Sequence, residues 1–479
     1  MPVSATLRAL AAIALFACLA SCAINPVSGS PDLVLMSEAQ EMRLGAQANQ
    51  QTLKEYALYD INGLQAYVEA IGQKLAKASH RPGLSYRFTV VDSPDINAFA
   101  LPGGYIYITR GILAYLNSEA ELAAVLGHEI GHVTARHSVR QMSAAQGADI
   151  ALTIASIFSP TLRNQGVQQI TNVLGSALLS GYGRDHELEA DRLGAEYLAR
   201  TGYDPQAMIR VVGVLKNQEL FDAEIAKQEG REPRRYHGLF ASHPDNDDRF
   251  REVVNAAKKL QVSGGADDRE GFLRKKEGMV FGDNAHEGLL RGGVFYHPVL
   301  GFAFRPPEGW KFNNLPDRLV IQAPGDEARL TFANAKRGNE APADMLRRLL
   351  KRNPRDIDIS AINGLQAAST SDAGGFTAVI FFKEASYVFS GAFRNDQSYR
   401  KFLEPIRAGV RTFHAITENE KSIAKPLTIR LSKAAEETRF AILAKNSPLG
   451  RSAESYLRLL NNQYPAGEPK PGQLIKIVE

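Results

Sequence analysis

Cysteine is nearly absent from this chain of 479 residues, which contains only Cys18 and Cys22. Both lie in an N-terminal segment that we expect to be a targeting signal. A mature protein without that segment would have no internal disulfide bond and no zinc site built from thiolates. Any metal would therefore be held by His, Asp or Glu, and the chain has ten histidines.

Excess charge and long apolar runs are also missing. The formal net charge of +4 is small for this length and gives no case for binding nucleic acid. No stretch after residue 22 is long enough for a transmembrane helix. The apolar run Ala148 to Phe158 is followed closely by Pro160, and we expect it in a helix packed over a core or groove.

The first residues resemble a bacterial lipoprotein signal. Arg8 gives a basic start, and the apolar run from Leu10 ends in Leu-Ala-Ser before Cys22. The resemblance implies that residues 1–21 are removed and that Cys22 is lipidated. The alternative is an ordinary secretory signal cut just before this position. Because Ala23 follows the cysteine instead of Asp, the analogy favours the outer membrane, on its periplasmic side.

The length predicts several domains, and the helical pattern up to about residue 260 with a mixed pattern after it predicts an α+β fold. The stretch after Val262 is small, polar and turn-rich, which is typical of a boundary. Residues 128–132 read His-Glu-x-x-His, a pattern typical of zinc peptidases. We therefore expect a mainly helical zincin-type protease domain with a small sheet, then a small α/β sandwich, then a βααβ segment that resembles a LysM module. The predicted boundaries are 1–21 for the signal, 22–262 for the protease domain, 263–294 for a linker, 295–415 for the sandwich and 420–479 for the LysM-like module.

The most informative motif is His-Glu-x-x-His at residues 128–132. Residues four apart on a helix share a face, so His128 and His132 can reach one metal, and Glu129 can face an attacking water. Ser118 and Glu121 predict a capping box at the start of this helix. We expect the helix to run from Glu119 to about residue 141.

A third metal ligand should come from a separate element, and the segment 183–192, about fifty residues further on, supplies a second helix. Glu187 and Asp191 share one face of the segment 183–192, whereas Glu189 lies on another. Taken alone, such acidic residues are usually a solvated face; after a His-Glu-x-x-His helix we favour a metal role. Asp191 is better suited as the acceptor that orients a ligand imidazole.

These motifs together resemble the zinc metallopeptidases that include BepA, HtpX and the CAAX prenyl endopeptidase, and in particular the BepA-like periplasmic lipoproteins. The resemblance covers about Pro26 to Leu260 and includes Asn97–Gly104 and the Glu-x-Glu-Ala-Asp sequence. It implies one Zn²⁺ per chain, Glu129 as the catalytic base and Glu187 as the third ligand.

His243-Pro244 followed by Arg249 is similar to a further element of that branch. The resemblance implies that His243 is a regulatory fourth ligand that closes the metal site. Arg249 would then contact the substrate or stabilise the transition state. The alternative is a turn at the start of a helix, with Pro244 in its first turn and Arg249 on the surface.

Other features near the motif receive structural interpretations. On a continuous helix His137 lies opposite His128, so we expect a packed or hydrogen-bonded core residue. We expect His186 to point away from the metal. Leu101 to Ile108 alternates like a strand, and if it lies at an edge it could bind an extended peptide. If it is paired on both sides it could not.

The C-terminal half carries weaker sequence patterns for structure and function. We expect strands at 319–321, 328–332 and 377–382 and a helix at 398–410. In the LysM-like module the strands would be 427–431 and 474–478. This module could bind peptidoglycan, although it lacks the usual Gly-Asp-Thr opening of such modules.

The sequence therefore predicts a zinc metalloendopeptidase that hydrolyses misfolded or misassembled cell-envelope proteins and is attached to a membrane by its N-terminal lipid. One alternative is an envelope chaperone or assembly factor whose metal site is gated by His243 and mostly latent. A pure envelope scaffold would rest on the C-terminal modules alone.

Overall fold

The computed structural model describes residues 22–34, 36–145, 182–229, 260, 267–315, 318–371 and 375–479. These residues form a mixed helix and sheet structure, as the α+β prediction requires. They divide into two compact units. The first unit contains the described residues up to Phe281 together with Thr428–Glu479, and the second contains Gly282–Leu427.

The first unit begins with helices around a small sheet. Its helices are α1 (Glu38–Glu55), α2 (Leu64–Lys77), α3 (Arg110–Tyr115), α4 (Glu119–Thr134), α5 (His137–Ala145), α6 (Arg184–Arg200), α7 (Ala207–Glu229) and α8 (Arg269–Lys275). Its strands are β1 (Cys22–Ile24), β2 (Pro31–Leu33), β3 (Arg87–Val91), β4 (Ala98–Leu101), β5 (Tyr105–Thr109) and β6 (Val280–Phe281).

The sheet whose strands precede the motif helix in the chain has the strand order β3-β5-β4. Strand β5 pairs in parallel with β3 and antiparallel with β4, so both of its edges are used. The single strand expected over Leu101–Ile108 is therefore a hairpin that turns at Gly103 and Gly104, both of which have positive φ. Of the two alternatives left open by the sequence, residues 105–109 adopt the strand that is paired on both sides and has no free edge for a peptide.

Helix α4 carries the His-Glu-x-x-His motif and is buried along almost its whole length. The Ser118 hydroxyl accepts a hydrogen bond from the backbone N–H of Glu121. The Glu121 carboxylate, however, accepts from the backbone of Asn117 at 2.6 Å. Only half of the predicted capping box is thus present.

The same helix ends earlier than expected. It stops at Thr134, and Arg136 has a left-handed φ of 57° before α5 begins at His137. This conformation costs about 1–2 kcal/mol for a residue with a Cβ. The buried Glu41 carboxylate accepts a hydrogen bond from the Arg136 guanidinium at 2.8 Å and holds the break in place.

Glycines let α4 and α6 approach closely. A Cβ on Gly131 would lie 2.9 Å from the carbonyl oxygen of Ala190, and one on Gly194 would lie 3.0 Å from the backbone nitrogen of His128. Close packing against α6, and not local helix stability, therefore accounts for Gly131. The close approach brings the second helix within reach of both motif histidines.

The second unit contains two antiparallel sheets and three helices. Its strands are β7 (Leu289–Arg291), β8 (Val294–His297), β9 (Phe302–Phe304), β10 (Lys311–Leu315), β11 (Arg318–Gln322), β12 (Ala328–Lys336), β13 (Ala367–Thr370), β14 (Gly375–Phe382), β15 (Ala385–Phe393) and β16 (His414–Ala415). Its helices are α9 (Pro342–Leu350), α10 (Asp396–Arg411) and α11 (Glu418–Ile423).

The larger sheet has the order β10-β11-β12-β15-β14-β13, and the smaller has the order β16-β9-β8-β7. The strands expected at 319–321, 328–332 and 377–382 and the helix expected at 398–410 are all present. Aromatic side chains such as Phe304, Phe332 and Phe389 form the core between sheet and helix.

The C-terminal segment belongs to the first unit. It consists of β17 (Leu427–Lys433), α12 (Phe440–Ala444), α13 (Ala453–Leu460) and β18 (Leu474–Val478), and its strands join β6 in a sheet of order β18-β17-β6. Buried Lys476 donates to the carbonyl oxygens of Ala114 and Leu116, immediately before the motif helix. Among the described helices, none is long and apolar enough to cross a membrane.

Candidate metal centre

Helices α4 and α6 bring three potential metal ligands together. The Nε2 atoms of His128 and His132 lie 3.0 Å apart. The Glu187 carboxylate lies 3.6 Å from His128 Nε2 and 3.5 Å from His132 Nε2. All three side chains are buried, and their ligand atoms lie within 4.8 Å of one another.

These separations fit a small tetrahedral cation. Zinc bonds of 2.0–2.1 Å to nitrogen or oxygen place two ligand atoms about 3.3 Å apart. The two imidazole–carboxylate distances are close to that value, and the imidazole–imidazole distance is slightly shorter. Two nitrogens and one carboxylate are also a ligand set that zinc takes in sites with an open position.

Asp191 orients the first imidazole. Its Oδ1 atom lies 2.8 Å from His128 Nδ1, on the opposite side of the ring from Glu187. The proton on Nδ1 is donated to the carboxylate, so the lone pair of Nε2 points toward the other ligand atoms. Asp191 lies one helical turn after Glu187, which explains why one helix supplies both groups.

Glu129 occupies the next position on the motif helix and is 1% exposed. It lines a pocket together with His128 and Asp191. The remaining wall of this pocket is apolar and comes from α4 and α7, through Ala124, Val125, Met208, Val211, Val212 and Leu215. A buried carboxylate thus lies between a metal ligand set and an apolar surface.

This geometry coincides with a family match. Residues 62–257 match the sequence profile described as Peptidase family M48. This part of the chain is therefore similar to that family, and we refer to it as the M48-like region.

Named relatives agree with the assignment. The beta-barrel assembly-enhancing protease of Escherichia coli (strain K12) is 28% identical over 232 residues, which are 47% of this chain and 45% of that protein. The mitochondrial metalloendopeptidase OMA1 of Arabidopsis thaliana is 35% identical over 154 residues, which are 32% of this chain and 30% of that protein. The metalloprotease YcaL of Escherichia coli (strain K12) is 28% identical and matches 32% of this chain and 64% of that protein. The chain spans about half the length, or less, of the first of these relatives.

The M48-like region has a second hydrogen-bonded group, which lies behind the His132 imidazole. His132 Nδ1 lies 2.8 Å from His137 Nδ1, and His137 Nε2 lies 3.0 Å from the Glu189 carboxylate. Arg140 donates to the same carboxylate oxygen at 3.0 Å. Burial lowers the pKa of His137 to about 4. The hydrogen bond from His137 is the main cause that lowers the pKa of Glu189 to about 2.

Aromatic rings enclose this group. The Tyr182 ring stacks on His132 with centroids 4.1 Å apart, and His186 stacks on His137 at 4.3 Å. The Tyr182 hydroxyl lies 2.6 Å from the hydroxyl of Ser138. Burial raises the pKa of this tyrosine, so it stays protonated at neutral pH. His186 faces His137 and not the metal ligands, as expected from the sequence.

His137 is the site feature that sequence reasoning missed. Its burial and hydrogen bonding were expected, but the reason given, a position opposite His128 on a continuous helix, is wrong because the helix breaks at Arg136. The sequence signal was the pair Arg136-His137 directly after the motif. Glu189, a weak ligand candidate by spacing, is instead the partner of this histidine.

Three other predicted site residues, His243, Arg249 and Cys22, are not tested by this geometry. His243 and Arg249 lie outside the described residues, so their roles remain predictions. Cys22 begins strand β1, and its lipidation likewise remains a prediction.

Proposed function

We propose that this protein is a zinc metalloendopeptidase that hydrolyses peptide bonds of misfolded or misassembled cell-envelope proteins. The proposal is carried by one observation: His128, His132 and Glu187 present their ligand atoms within 4.8 Å of one another, beside Glu129. The M48 match and the named protease relatives support it.

The ligands proposed for one zinc ion per chain are these two imidazoles and one carboxylate. A zinc ion held there would supply Lewis-acid activation of a water molecule and of a peptide carbonyl. The buried surroundings, with Asp191 behind His128, would keep the ligands in place before substrate arrives.

Glu129 is the proposed general base and acid. Its carboxylate would take a proton from the attacking water and then deliver that proton to the leaving amine. Its burial beside the two imidazoles suits this role, because a carboxylate out of bulk water exchanges protons with the reactants and not with solvent.

We propose a misfolded or misassembled polypeptide as the substrate. The name of the Escherichia coli relative, a beta-barrel assembly-enhancing protease, supports a substrate from the cell envelope.

The central experiment compares wild-type protein with Glu129→Gln. We expect the variant to keep its zinc content and its fold but to cleave denatured casein 10²–10⁴-fold more slowly, the range typical of general acid–base catalysis. Zinc would be measured by elemental analysis and cleavage by release of labelled peptides.

Two controls accompany this experiment. His132→Ala should lose both zinc and cleavage. Glu196→Gln replaces a partly exposed carboxylate further along α6, paired with Arg200, and should retain both. Normal cleavage by zinc-loaded Glu129→Gln protein would contradict the mechanism, and a wild-type protein without zinc would contradict the proposed function.

Regulation by His243 is a further part of the proposal. If this histidine closes the metal site as a fourth ligand, His243→Ala should raise casein cleavage. Unchanged cleavage together with unchanged zinc affinity would show that His243 does not close the metal site. There would then be no reason to consider a mostly latent envelope chaperone or assembly factor.

The proposed location is the periplasmic side of the outer membrane, with lipid attached at Cys22. Metabolic labelling with palmitate tests this, since Cys22→Ala should abolish incorporation if the lipoprotein interpretation is right. Peptidoglycan is a proposed ligand of residues 420–479, whose elements have the order β17-α12-α13-β18. Sedimentation of the full chain with purified peptidoglycan would test that binding.

A further inference from the structure

The two ligand imidazoles are oriented by different partners. Behind His128 stands a carboxylate, that of Asp191, at 2.8 Å from Nδ1. Behind His132 stands another imidazole, that of His137, also at 2.8 Å. A neutral imidazole can accept or donate at a given nitrogen, so it orients a ligand only if its own proton is held elsewhere.

Glu189 holds the proton of His137 at the nitrogen that faces away from His132. Because its carboxylate accepts a hydrogen bond from His137 Nε2 at 3.0 Å, the proton of a neutral His137 belongs on Nε2. His137 Nδ1 is then an acceptor and can only receive the Nδ1 proton of His132. That arrangement leaves the lone pair of His132 Nε2 facing His128 and Glu187.

We propose that His137 and Glu189 form a positioning pair that sets the tautomer and ring orientation of His132 for metal binding. The inference rests on the proposed zinc site. Neither residue is a ligand itself; both act through His132. Outer partners of this kind typically contribute 10–100-fold to metal affinity.

The helix break makes this arrangement possible. On a continuous helix a residue five positions after His132 would lie about 140° around the axis and could not reach its ring. The left-handed φ of Arg136 turns the chain so that His137 comes back to His132. Glu41 on α1 accepts from Arg136, and Arg136 also donates to the carbonyl of Met36 at 3.0 Å.

The competing explanation is that His137 only fills space, since it is fully buried and stacked on His186. Three substitutions separate the two explanations. His137→Asn retains an acceptor oxygen near the Nδ1 position. His137→Gln retains a donor near the Nε2 position but loses that acceptor, and His137→Phe retains the ring without either nitrogen.

The measurement is the zinc dissociation constant of the full chain, obtained by competition with a chromophoric chelator. We expect His137→Phe and His137→Gln to bind zinc about 10–100-fold more weakly. His137→Asn should stay much closer to the wild type. Tyr182→Phe is the matched control, because it removes a hydroxyl from the same cluster but retains the ring that stacks on His132.

Two results would overturn the inference: unchanged zinc affinity in His137→Phe and His137→Gln, or equal losses in the Asn and Gln variants. The second result would mean that ring bulk matters and the acceptor does not. Circular dichroism of each zinc-free variant shows whether it folds, and the Asn–Gln pair keeps the test valid if the Phe variant does not. Failure of the proposed function looks different, because wild-type protein and His128→Ala would then bind zinc equally poorly.

Discussion

The two units bury very different side chains. The first unit buries ionisable groups in pairs and networks, whereas the buried polar residues among the described part of the second unit are all uncharged. Those of the first unit include Glu41, Arg81, Arg110, Glu121, His128, His132, Arg136, His137, Glu187, Asp191, Lys276 and Lys476. Those of the second unit are Asn284, Thr370, Ser386 and Ser398.

The second unit instead has a core rich in aromatic rings. Phe304 and Phe389, for example, meet edge to face with centroids 5.2 Å apart. Burying charge costs free energy unless each group is paired, while burying aromatic surface contributes to stability directly. The comparison shows that the unit with the candidate metal ligands has less simple apolar packing and instead holds buried polar groups in defined positions.

Breaking a buried ion pair of the first unit should have the largest effect on stability. Glu41 accepts from Arg81 and Arg136, each at 2.8 Å, and all three side chains are buried. Glu41→Gln should lower the free energy of unfolding by about 3–5 kcal/mol, because the buried Arg136 guanidinium loses its paired carboxylate and the buried Arg81 guanidinium keeps only that of Glu38. Chemical denaturation followed by circular dichroism measures this.

Glu38→Gln is the matched control for that experiment. Glu38 bonds to the same Arg81 at 2.7 Å, but its side chain is 69% exposed. Its loss should change stability by less than about 1 kcal/mol. Similar losses in both variants would mean that burial does not decide the strength of these pairs.

The second unit should instead lose stability when a buried aromatic side chain is removed and leaves a cavity. Phe389 is fully buried on β15, and Phe389→Ala should destabilise this unit by about 3–5 kcal/mol. Zinc affinity should stay at the wild-type value, since no metal ligand lies in this unit's described residues. A large loss of zinc affinity would contradict the separation of roles between the two units.

Removing an orienting carboxylate of the first unit should instead change the zinc affinity. Asp191→Ala should weaken zinc binding by about 10–100-fold, because His128 loses the acceptor of its Nδ1 proton. Asp191→Asn keeps an acceptor oxygen and should lose less. Asp185→Ala, an exposed change on the same helix, should leave zinc affinity unchanged.

The smallest effect concerns the dependence of stability on pH. Burial lowers the pKa of Lys276 to about 7 and holds that of Lys476 well below its ordinary value, both in the first unit. The unfolded chain, with lysine near its ordinary pKa of about 10.4, therefore binds more protons than the folded chain at mildly alkaline pH. Stability should rise with pH in that range, and Lys276→Met should reduce the slope. Urea unfolding at several pH values measures this slope, and Lys275→Met, at a partly exposed neighbour, serves for comparison. An unchanged slope in Lys276→Met would contradict this explanation.

Local sequence signals predicted the elements whose stability is local. The strands β11, β12 and β14 and the helix α10 follow alternating or helical patterns and were predicted within a few residues. The prediction for residues 101–108 failed because Pro102, Gly103 and Gly104 turn the chain inside an otherwise alternating pattern. In this segment the turn residues determined the structure, and the alternating pattern alone did not reveal the turn.

The sequence by itself determined the spacing of His128 and His132, the adjacent Glu129 and the carboxylates of α6, because four-residue spacing is a property of any helix. Only the tertiary structure decided that α4 ends at Thr134 and that His137 turns back to His132. The reason is physical: Arg136 adopts a left-handed conformation that its own residue type disfavours, and Glu41, 95 positions earlier in the chain, stabilises it. Tertiary packing likewise placed the C-terminal segment in the first unit, where Lys476 contacts the end of α3.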